Sequence, residues 1–571
     1  MIKSVVVGGS EFKVSRWKGE KLGAVIAVDT ETSLIKRGLV PRLFSCQAFD
    51  GKTAVYVNKE DVGGFFATHT ESCFVFHNAA FDLSVLNEVL GSLFPSIYDL
   101  VDEERVGDTS ILERLIGLAI EGQIPHKYNL ALLSKKYLDE DLDKSVRDSF
   151  DQEELTFETM SEEQQIYGIK DAVCTYLIFM KQLQIIEELG YGWLSHSIQV
   201  KGDVALNKLN NTGIHIDIQR KIELEANLQK KKNILTDVLS TYGMFLGRPG
   251  SKQSFDNIMD FYGIKLERTK DGNYKSSEDD LLPYAKNNHF IQTYLEYKYI
   301  EKHMGFFNKL TEPHIFPRYS LLVDTGRTAC SNPNFQQLPK VGGIRELFVP
   351  KPGRKFVATD YRAIELATLA QILYARFGRS VMKDKINEGH DLHKYFASTL
   401  LKKGVDEVSK DERQGAKAAN FGFPGGLGID RFVDYARTNY GVTMTQKEAK
   451  AAKEAWFKAY PEVRGYMQGN TGTAITLTGR IRSNCGYCEE KNTPFQGLAS
   501  DGAKIALYNL IIKKGLKVVG FVHDEIVTEC TTKDVEEVLK IQEEVMISSM
   551  QEVVPDVLIT VESTVLDRYS K

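Results

Sequence analysis

The spacing of apolar residues changes several times along the chain. In the first third, short apolar runs (SVVVGG, AVIAVD, FSCQAFD and TAVYVN) alternate with stretches of helical period. That alternation predicts an α/β layer over residues 1–185. From about 195 to 310 the pattern is mainly helical and highly charged, as in KGDVALNKLNNTGIHIDI and FIQTYLEYKYIEKH. Further on, KFVAT reads as a short strand ending at Asp360, and AIELATLAQ as the helix that follows it. VVGFVHDEIVTEC has two apolar runs around His-Asp-Glu and predicts a hairpin with the acids at its tip. TQKEAKAAKEAWFKAYPEV is amphipathic and predicts a packed surface helix. No internal repeat, low-complexity tract or long Gly/Ser linker interrupts these elements.

Two acidic constellations stand on this frame. In the first, Asp29 and Glu31 lie two apart on a strand and so share a face. Asp82 follows in HNAAFDL, at the start of a helix. Tyr167 and Asp171 are four apart on a later helix, for which Ser161 and Gln164 form a capping box. Three aspartates, a glutamate and a tyrosine can hold two metals around a scissile phosphate, with Tyr167 orienting a metal-bound hydroxide. The second constellation is Asp360 at its strand end and Asp524 at its hairpin tip, with Glu525 as a third, weaker ligand. Arg413, Lys417 and Phe421 recur every fourth residue in RQGAKAANFGF, so they share one helix face. Arg413 and Lys417 suit a triphosphate, and Phe421 suits a base or sugar. Pro424, Gly425 and Gly426 should end that helix. Each part has an ordinary reading: a strand-end aspartate is commonly a turn residue, and spaced cations are commonly a solvated face. The specificity lies in the joint order.

Bulk properties change this picture little. With 571 residues there is room for several domains, and 42% hydrophobic and 26% charged residues are ordinary for a soluble protein. No apolar run approaches the ~20 residues that span a bilayer, and MIKSVVVGGSEF lacks the apolar core of a signal peptide. The seven cysteines are scattered, so reduced thiols in a cytoplasmic setting are expected. Cys485 and Cys488 form one CxxC without a partner pair. A net charge of −5 does not advertise a nucleic-acid binder, so any DNA contact must come from local patches such as RKIELEANLQKKKNIL and LGRPGSKQSF.

The second constellation resembles family A DNA polymerases, the DNA polymerase I type. Asp360-Tyr361 to Glu365-Leu366 looks like that family's first palm motif, Arg413 to Gly422 like its fingers helix, and His523-Asp524-Glu525 like its second palm motif. DTGRTACSNPNFQQLP, Asp391-Leu392-His393 and NTPFQGLASDGAK are similar to further segments in the same order. The first constellation resembles the tyrosine-bearing DEDD 3′–5′ exonuclease. The resemblance implies Asp360 and Asp524 as metal ligands, and Arg413, Lys417, Phe421, Tyr361 and His393 at the nucleotide. It implies Glu365 as a steric gate against a ribose 2′-hydroxyl. Arg327, Gln336, Asn492, Gln496 and His523 would touch primer–template DNA. Asp29, Glu31, Asp82 and Asp171 would hold the exonuclease metals. Lys135, Lys136 and Lys144, in the segment between the second and third exonuclease motifs, could meet phosphate or form a solvated face. Two departures stand out: Gly425-Gly426 replaces the family's usual Tyr-Gly, and Arg362-Ala363 replaces its usual polar pair.

The implied fold is α/β and multidomain: an RNase H-like DEDD exonuclease domain followed by a right-hand polymerase domain. The implied boundaries are 1–185 exonuclease, 186–310 thumb and connecting helices, 311–375 first palm part, 376–479 fingers and 480–571 second palm part. The implied cofactor is Mg²⁺, two ions per site, with Mn²⁺ as a substitute. The implied partners are primer–template DNA, deoxynucleoside triphosphates and replisome proteins such as a helicase or primase, with the chain acting as a monomer away from membranes. The compact layout, with no upstream 5′ nuclease domain or large thumb insertion, resembles phage replicative enzymes. A nuclease whose second half only binds DNA, a replisome scaffold, and a single-subunit RNA polymerase are the rival readings.

Overall fold

The computed structural model describes residues 2–570 except 92–95, 144, 151–154 and 156–158; Lys144 therefore lies outside the described residues. The chain forms two compact units. The larger comprises 1–213, 318–331 and 357–565, the smaller 214–317, 332–356 and 566–571. No helix among the described residues is long and apolar enough to cross a membrane.

The larger unit opens on a seven-stranded sheet. Its strands are β1 (Ser4–Val7), β2 (Ser10–Arg16), β3 (Val25–Thr32), β4 (Leu43–Phe49), β5 (Thr53–Asn58), β6 (Cys73–Phe76) and β7 (Val106–Asp108), in the order β1-β2-β5-β4-β3-β6-β7. β3 pairs antiparallel with β4 and parallel with β6. The four apolar runs of the sequence became β1, β3, β4 and β5. β2 (SEFKVSR) is mostly polar and so carries no apolar signal in the sequence. The helix Glu162–Glu188 packs on β3 and β4, and its N-terminus has the expected capping box between Ser161 and Gln164. Its inward face closes a core with Val7, Phe49, Ala54, Ile169 and Val173.

The larger unit also holds a four-stranded sheet, ordered Val518–Val522, Glu525–Thr531, Arg354–Tyr361, Val561–Leu566. The first two strands form the predicted hairpin: Val522 faces Glu525, so His523 and Asp524 are the two turn residues. His523 takes φ +60°, as the first position of such a tight turn requires. The long helix Tyr487–Tyr508 packs against Trp193–Thr212, Ile364–Phe377 and Val535–Gln551. The helix Lys410–Gly422 ends where Pro424 and the two glycines follow. Gln446–Ala459 is the predicted amphipathic helix, anchored by buried Trp456, whose indole donates to Asn420 Oδ1 at 2.9 Å.

Buried charge ties these helices together. Arg480 and Asp501 are 1% and 0% exposed, and their ion pair is 2.6 Å long. Asp501 also accepts from Thr478 and Gln199. Lys504 Nζ donates to Gln199 Oε1 at 2.6 Å and to the Gly326 carbonyl at 2.8 Å. Gly326 has φ +94°, and a Cβ there would lie 2.3 Å from Arg480 Nη2. Glycine is thus demanded twice, by conformation and by the approach of the guanidinium.

The smaller unit is mainly helical, as its sequence predicted. Helices Ile218–Thr241, Ser251–Phe261, Glu278–Ala285 and His289–Phe307 enclose Leu239, Met259, Leu281, Phe290 and Ile300. A three-stranded sheet orders Phe348–Val349, Ile214–Ile216 and His314–Ile315. In its basic helix Lys231 and Lys232 are paired with Glu296 and Glu301, which reduces the positive patch the sequence suggested.

Replacing Asp501 by asparagine leaves the Arg480 guanidinium buried without its counter-charge. We expect a loss of about 3–5 kcal/mol of unfolding free energy, read by urea titration. A loss within ~1 kcal/mol would mean that the pair does not hold the helices together.

Candidate active sites

The N-terminal constellation converges. Asp29, Glu31, Asp82, Tyr167 and Asp171 line one cavity of ≈ 980 Å³. Strand β3 presents Asp29 and Glu31, and helix Ala79–Leu90 brings Asp82 over the sheet, where it accepts from Thr30 Oγ1 at 2.6 Å. Asp108 fixes the turn before that helix, accepting from the Ala79 N–H at 2.7 Å while capping helix Thr109–Glu121. Gly168 lets the helix Glu162–Glu188 come close: a Cβ there would meet Glu31 Oε1 and Gln47 Cδ at 3.0 Å. Burial, reinforced by the charge of Asp108, pushes the Asp82 carboxyl up to about 7, although Thr30's hydrogen bond opposes it. Burial and the neighbouring Asp171, Glu31 and Asp29 push the Tyr167 phenol far above its ordinary value, so it keeps its proton. Further elements, invisible in the motifs, close the cavity: helix Trp193–Thr212 supplies Asp203, Asn207 and Asn210, and strand Arg318–Ser320 with the residue after it supplies Tyr319 and Leu321. Of the lysines expected near phosphate, Lys135 pairs with Asp139 and Asp141, and Lys136 with Glu113.

The C-terminal constellation also comes together. Burial, followed by the charge of Asp360, raises the Asp524 carboxyl to about 7. The Arg327 guanidinium lies close enough to His523 and Asp524 to shift both, and it is ion-paired with Glu365. Two residues assigned to different ligands, the DNA minor groove and the sugar gate, therefore meet each other. Arg413 and Lys417 share the predicted helix face. Arg413 holds Asp391 through Nε at 2.8 Å and Nη2 at 2.7 Å, whereas Lys417 makes no ion pair among the described residues. Phe421 lies 5.5 Å from the His393 ring. Asn492 and Gln496 line a cavity of ≈ 380 Å³ with Asp324, Thr325 and Arg482.

Several expected contacts are altered by packing. The Tyr361 side chain is buried and donates to the Met546 carbonyl at 2.6 Å. Glu525 is buried as the first residue of its strand rather than lying at the hairpin tip. His393 is buried and bonded to Asn420; burial pushes its imidazole down to about 4, with Arg413 and Lys417 acting in the same sense, so it stays neutral. Gln336 is buried in a short 3-10 turn of the smaller unit. Arg362 is exposed, 3.6 Å from Glu562. The place of the missing aromatic is filled from helix Tyr487–Tyr508. Asn492 donates to the Gly425 carbonyl at 3.2 Å, and a Cβ on Gly426 would sit 2.8 Å from the Tyr487 ring.

A family model described as DNA polymerase family A matches residues 223–571, and one described as 3′–5′ exonuclease matches residues 12–187. The chain belongs to DNA polymerase family A. It is a DNA-directed DNA polymerase carrying a 3′–5′ exonuclease domain. It is 27% identical over 536 residues to DNA polymerase I of Aquifex aeolicus, spanning 87% of each chain. With DNA polymerase I of Borreliella burgdorferi it shares 25% over 579 residues, which is 91% of this chain and 60% of that one. With the DNA polymerase of Bacillus phage SP01 it shares 24% over 468 residues, 66% and 50% of the two chains. The A. aeolicus protein is bacterial and of similar span, so compactness alone does not mark a phage enzyme. The fold matches the POL domain of Pol1 from M. smegmatis, solved in complex with DNA primer-template and dNTP. The TM-score is 0.71 at 19% identity, over 95% of both chains.

The raised carboxyls give a pH signature. The Asp82 and Asp524 carboxyls, 3.8 when unperturbed, stand at about 7 in the fold. Between those values the folded chain binds more protons than the unfolded one, so their contribution to stability is full at low pH and is lost as pH rises toward 7. We expect the Tm of the metal-free chain to fall over that window. Added Mg²⁺ should raise Tm more at about pH 8 than at about pH 5, because the ion must displace those protons. A Mg²⁺ effect independent of pH would contradict the assignment.

Proposed function

We infer that the chain adds deoxynucleotides to a primer 3′ end on a DNA template and shortens the same end at its N-terminal cavity, in the service of DNA replication. The observation that carries this reading is the coexistence of two separate acidic sites, each with its own shifted aspartate, in one compact unit. Neither a scaffold nor a nuclease with a passive second half needs both.

No three His, Cys, Asp or Glu side chains among the described residues converge into a preformed metal cage. The donor chemistry nevertheless suits Mg²⁺, which keeps several waters and takes only one or two carboxylates. Asp360 and Asp524 would hold it at the polymerase site, and Asp29, Glu31, Asp82 and Asp171 at the exonuclease. When bound, the ions supply charge neutralisation at the attacked phosphate and a more acidic nucleophile, and Mn²⁺ can stand in for Mg²⁺. The remaining work falls to side chains. Lys417 and, once released from Asp391, Arg413 take the triphosphate. Phe421 stacks at the nucleotide, and Glu365 closes the space a 2′-hydroxyl would need. Arg327 exchanges Glu365 for the primer–template minor groove, where Asn492, Gln496 and His523 join it. At the exonuclease, Tyr167 keeps its proton and orients the attacking water.

Asp360→Ala should abolish extension of a labelled primer, by at least about 1000-fold, while leaving 3′ shortening intact. Asp82→Ala should do the reverse. Either variant losing both activities would count against two independent sites. Glu365→Ala should raise the ratio of ribonucleotide to deoxynucleotide incorporation in single-turnover assays, and an unchanged ratio would remove the gate role.

A further inference from the structure

Arg114 belongs to none of the motifs that define either site. It sits on helix Thr109–Glu121, is 6% exposed, and lines the same cavity as the four exonuclease carboxylates and Tyr167. Its guanidinium is held in place from two sides. Nε donates to the Ser110 carbonyl and Nη2 to Ser110 Oγ, both at 3.2 Å, and the Tyr128 ring centre lies 4.5 Å from the guanidinium carbon. Nη1 bonds to none of the described residues. Asp203, on helix Trp193–Thr212, lines the same cavity; burial pushes its carboxyl up to about 6, and the Arg114 guanidinium opposes that rise. The two form no ion pair among the described residues.

Burying a cation without a contact counter-charge costs free energy. In this cavity the compensation is partial: an aromatic face and a carboxylate at longer range. The orienting bonds leave one edge of a rigid, planar fork open, a geometry that matches a phosphate. Lys127 and His126 line the same cavity and add donors beside it. The anion that enters an exonuclease cavity is the sugar–phosphate backbone of the strand being shortened.

We propose that Arg114 binds a backbone phosphate of the single strand whose 3′ end occupies the exonuclease cavity. This rests on the exonuclease reading of that cavity. Arg114 is a substrate-positioning residue.

The test uses the full chain and a single-stranded oligonucleotide, comparing wild type, Arg114→Gln and Arg114→Lys. With Arg114→Gln, KM for 3′ shortening should rise about tenfold, the loss of one charge-assisted hydrogen bond, with kcat nearly unchanged. The slope of log(kcat/KM) against log salt should become shallower by about 0.7, the value for one phosphate contact on a single strand. Arg114→Lys should keep the wild-type slope and recover part of the affinity. Anisotropy of a labelled tetranucleotide in EDTA should show the same weakening without turnover. Inhibition by dAMP distinguishes a strand phosphate from that of the released mononucleotide, and it should be unaffected. An unchanged KM and salt slope would overturn the proposal, as would a fall in kcat alone or a loss of dAMP inhibition without a change in strand KM. If the wild type leaves the 3′ end intact, the exonuclease reading itself falls and this inference with it. If the wild type shortens the strand and Arg114→Gln matches it, only the inference falls.

Discussion

The buried pair of Arg480 and Asp501 is the contact on which the rest of the larger unit depends. Two opposite charges taken almost out of solvent need further polar partners to offset the lost hydration, and here these gather on the Asp501 side. Asp501 is therefore surrounded by Thr478 and Gln199, and Gln199 in turn orients Lys504. Lys504 ends on the Gly326 carbonyl, one residue before Arg327. The network thus runs from the helix bordering the exonuclease cavity, through the central helix, to the arginine beside the polymerase aspartates. Gly326 and Gly497 make room for the guanidinium, with Cβ positions 2.3 and 2.5 Å from its Nη2.

A second set of contacts joins the exonuclease layer to the polymerase half. Gly122 ends helix Thr109–Glu121 at φ +78°, and a Cβ there would collide with the Ser483 carbonyl at 2.2 Å. Arg482 donates to the Gly122 carbonyl at 3.0 Å, and Ser483 to those of the last helical turn. On another side, Tyr319 lines the exonuclease cavity, and its hydroxyl accepts from the Phe521 N–H at 3.2 Å. Phe521 lies on the outer strand of its sheet, where an outward N–H needs a partner. The wall of one site and the strand leading to Asp524 in the other are therefore directly bonded.

The resting polymerase site is held by its own side chains. Glu365 closes on Arg327 and Asp391 on Arg413, so each of these cations is paired with an acid of the chain itself. These partly exposed pairs contribute little to stability and are cheap to exchange. The carboxylates are placed the opposite way. Asp524 beside Asp360, and Asp82 beside Asp108, hold like charges in low dielectric, and binding a cation relieves that repulsion.

Local sequence determined the elements that carry chemistry. Alternation set Asp29 and Glu31 on one face of a strand, four-residue spacing set Arg413, Lys417 and Phe421 on one helix, and a two-residue turn set Asp524 at a hairpin tip. These depend on backbone period and turn geometry, which act within a few residues. The tertiary structure decided what no short window contains. It buried the side chains of Tyr361, His393 and Glu525, and placed Gln336 in the smaller unit. It paired Arg327 with Glu365 and filled the gap at Gly425 and Gly426 with Asn492 and Tyr487. It also brought Arg114 and Asp203 to the wall of the exonuclease cavity. Burial and charge pairing between residues tens to hundreds of positions apart depend on how the helices pack, and only the folded chain fixes that.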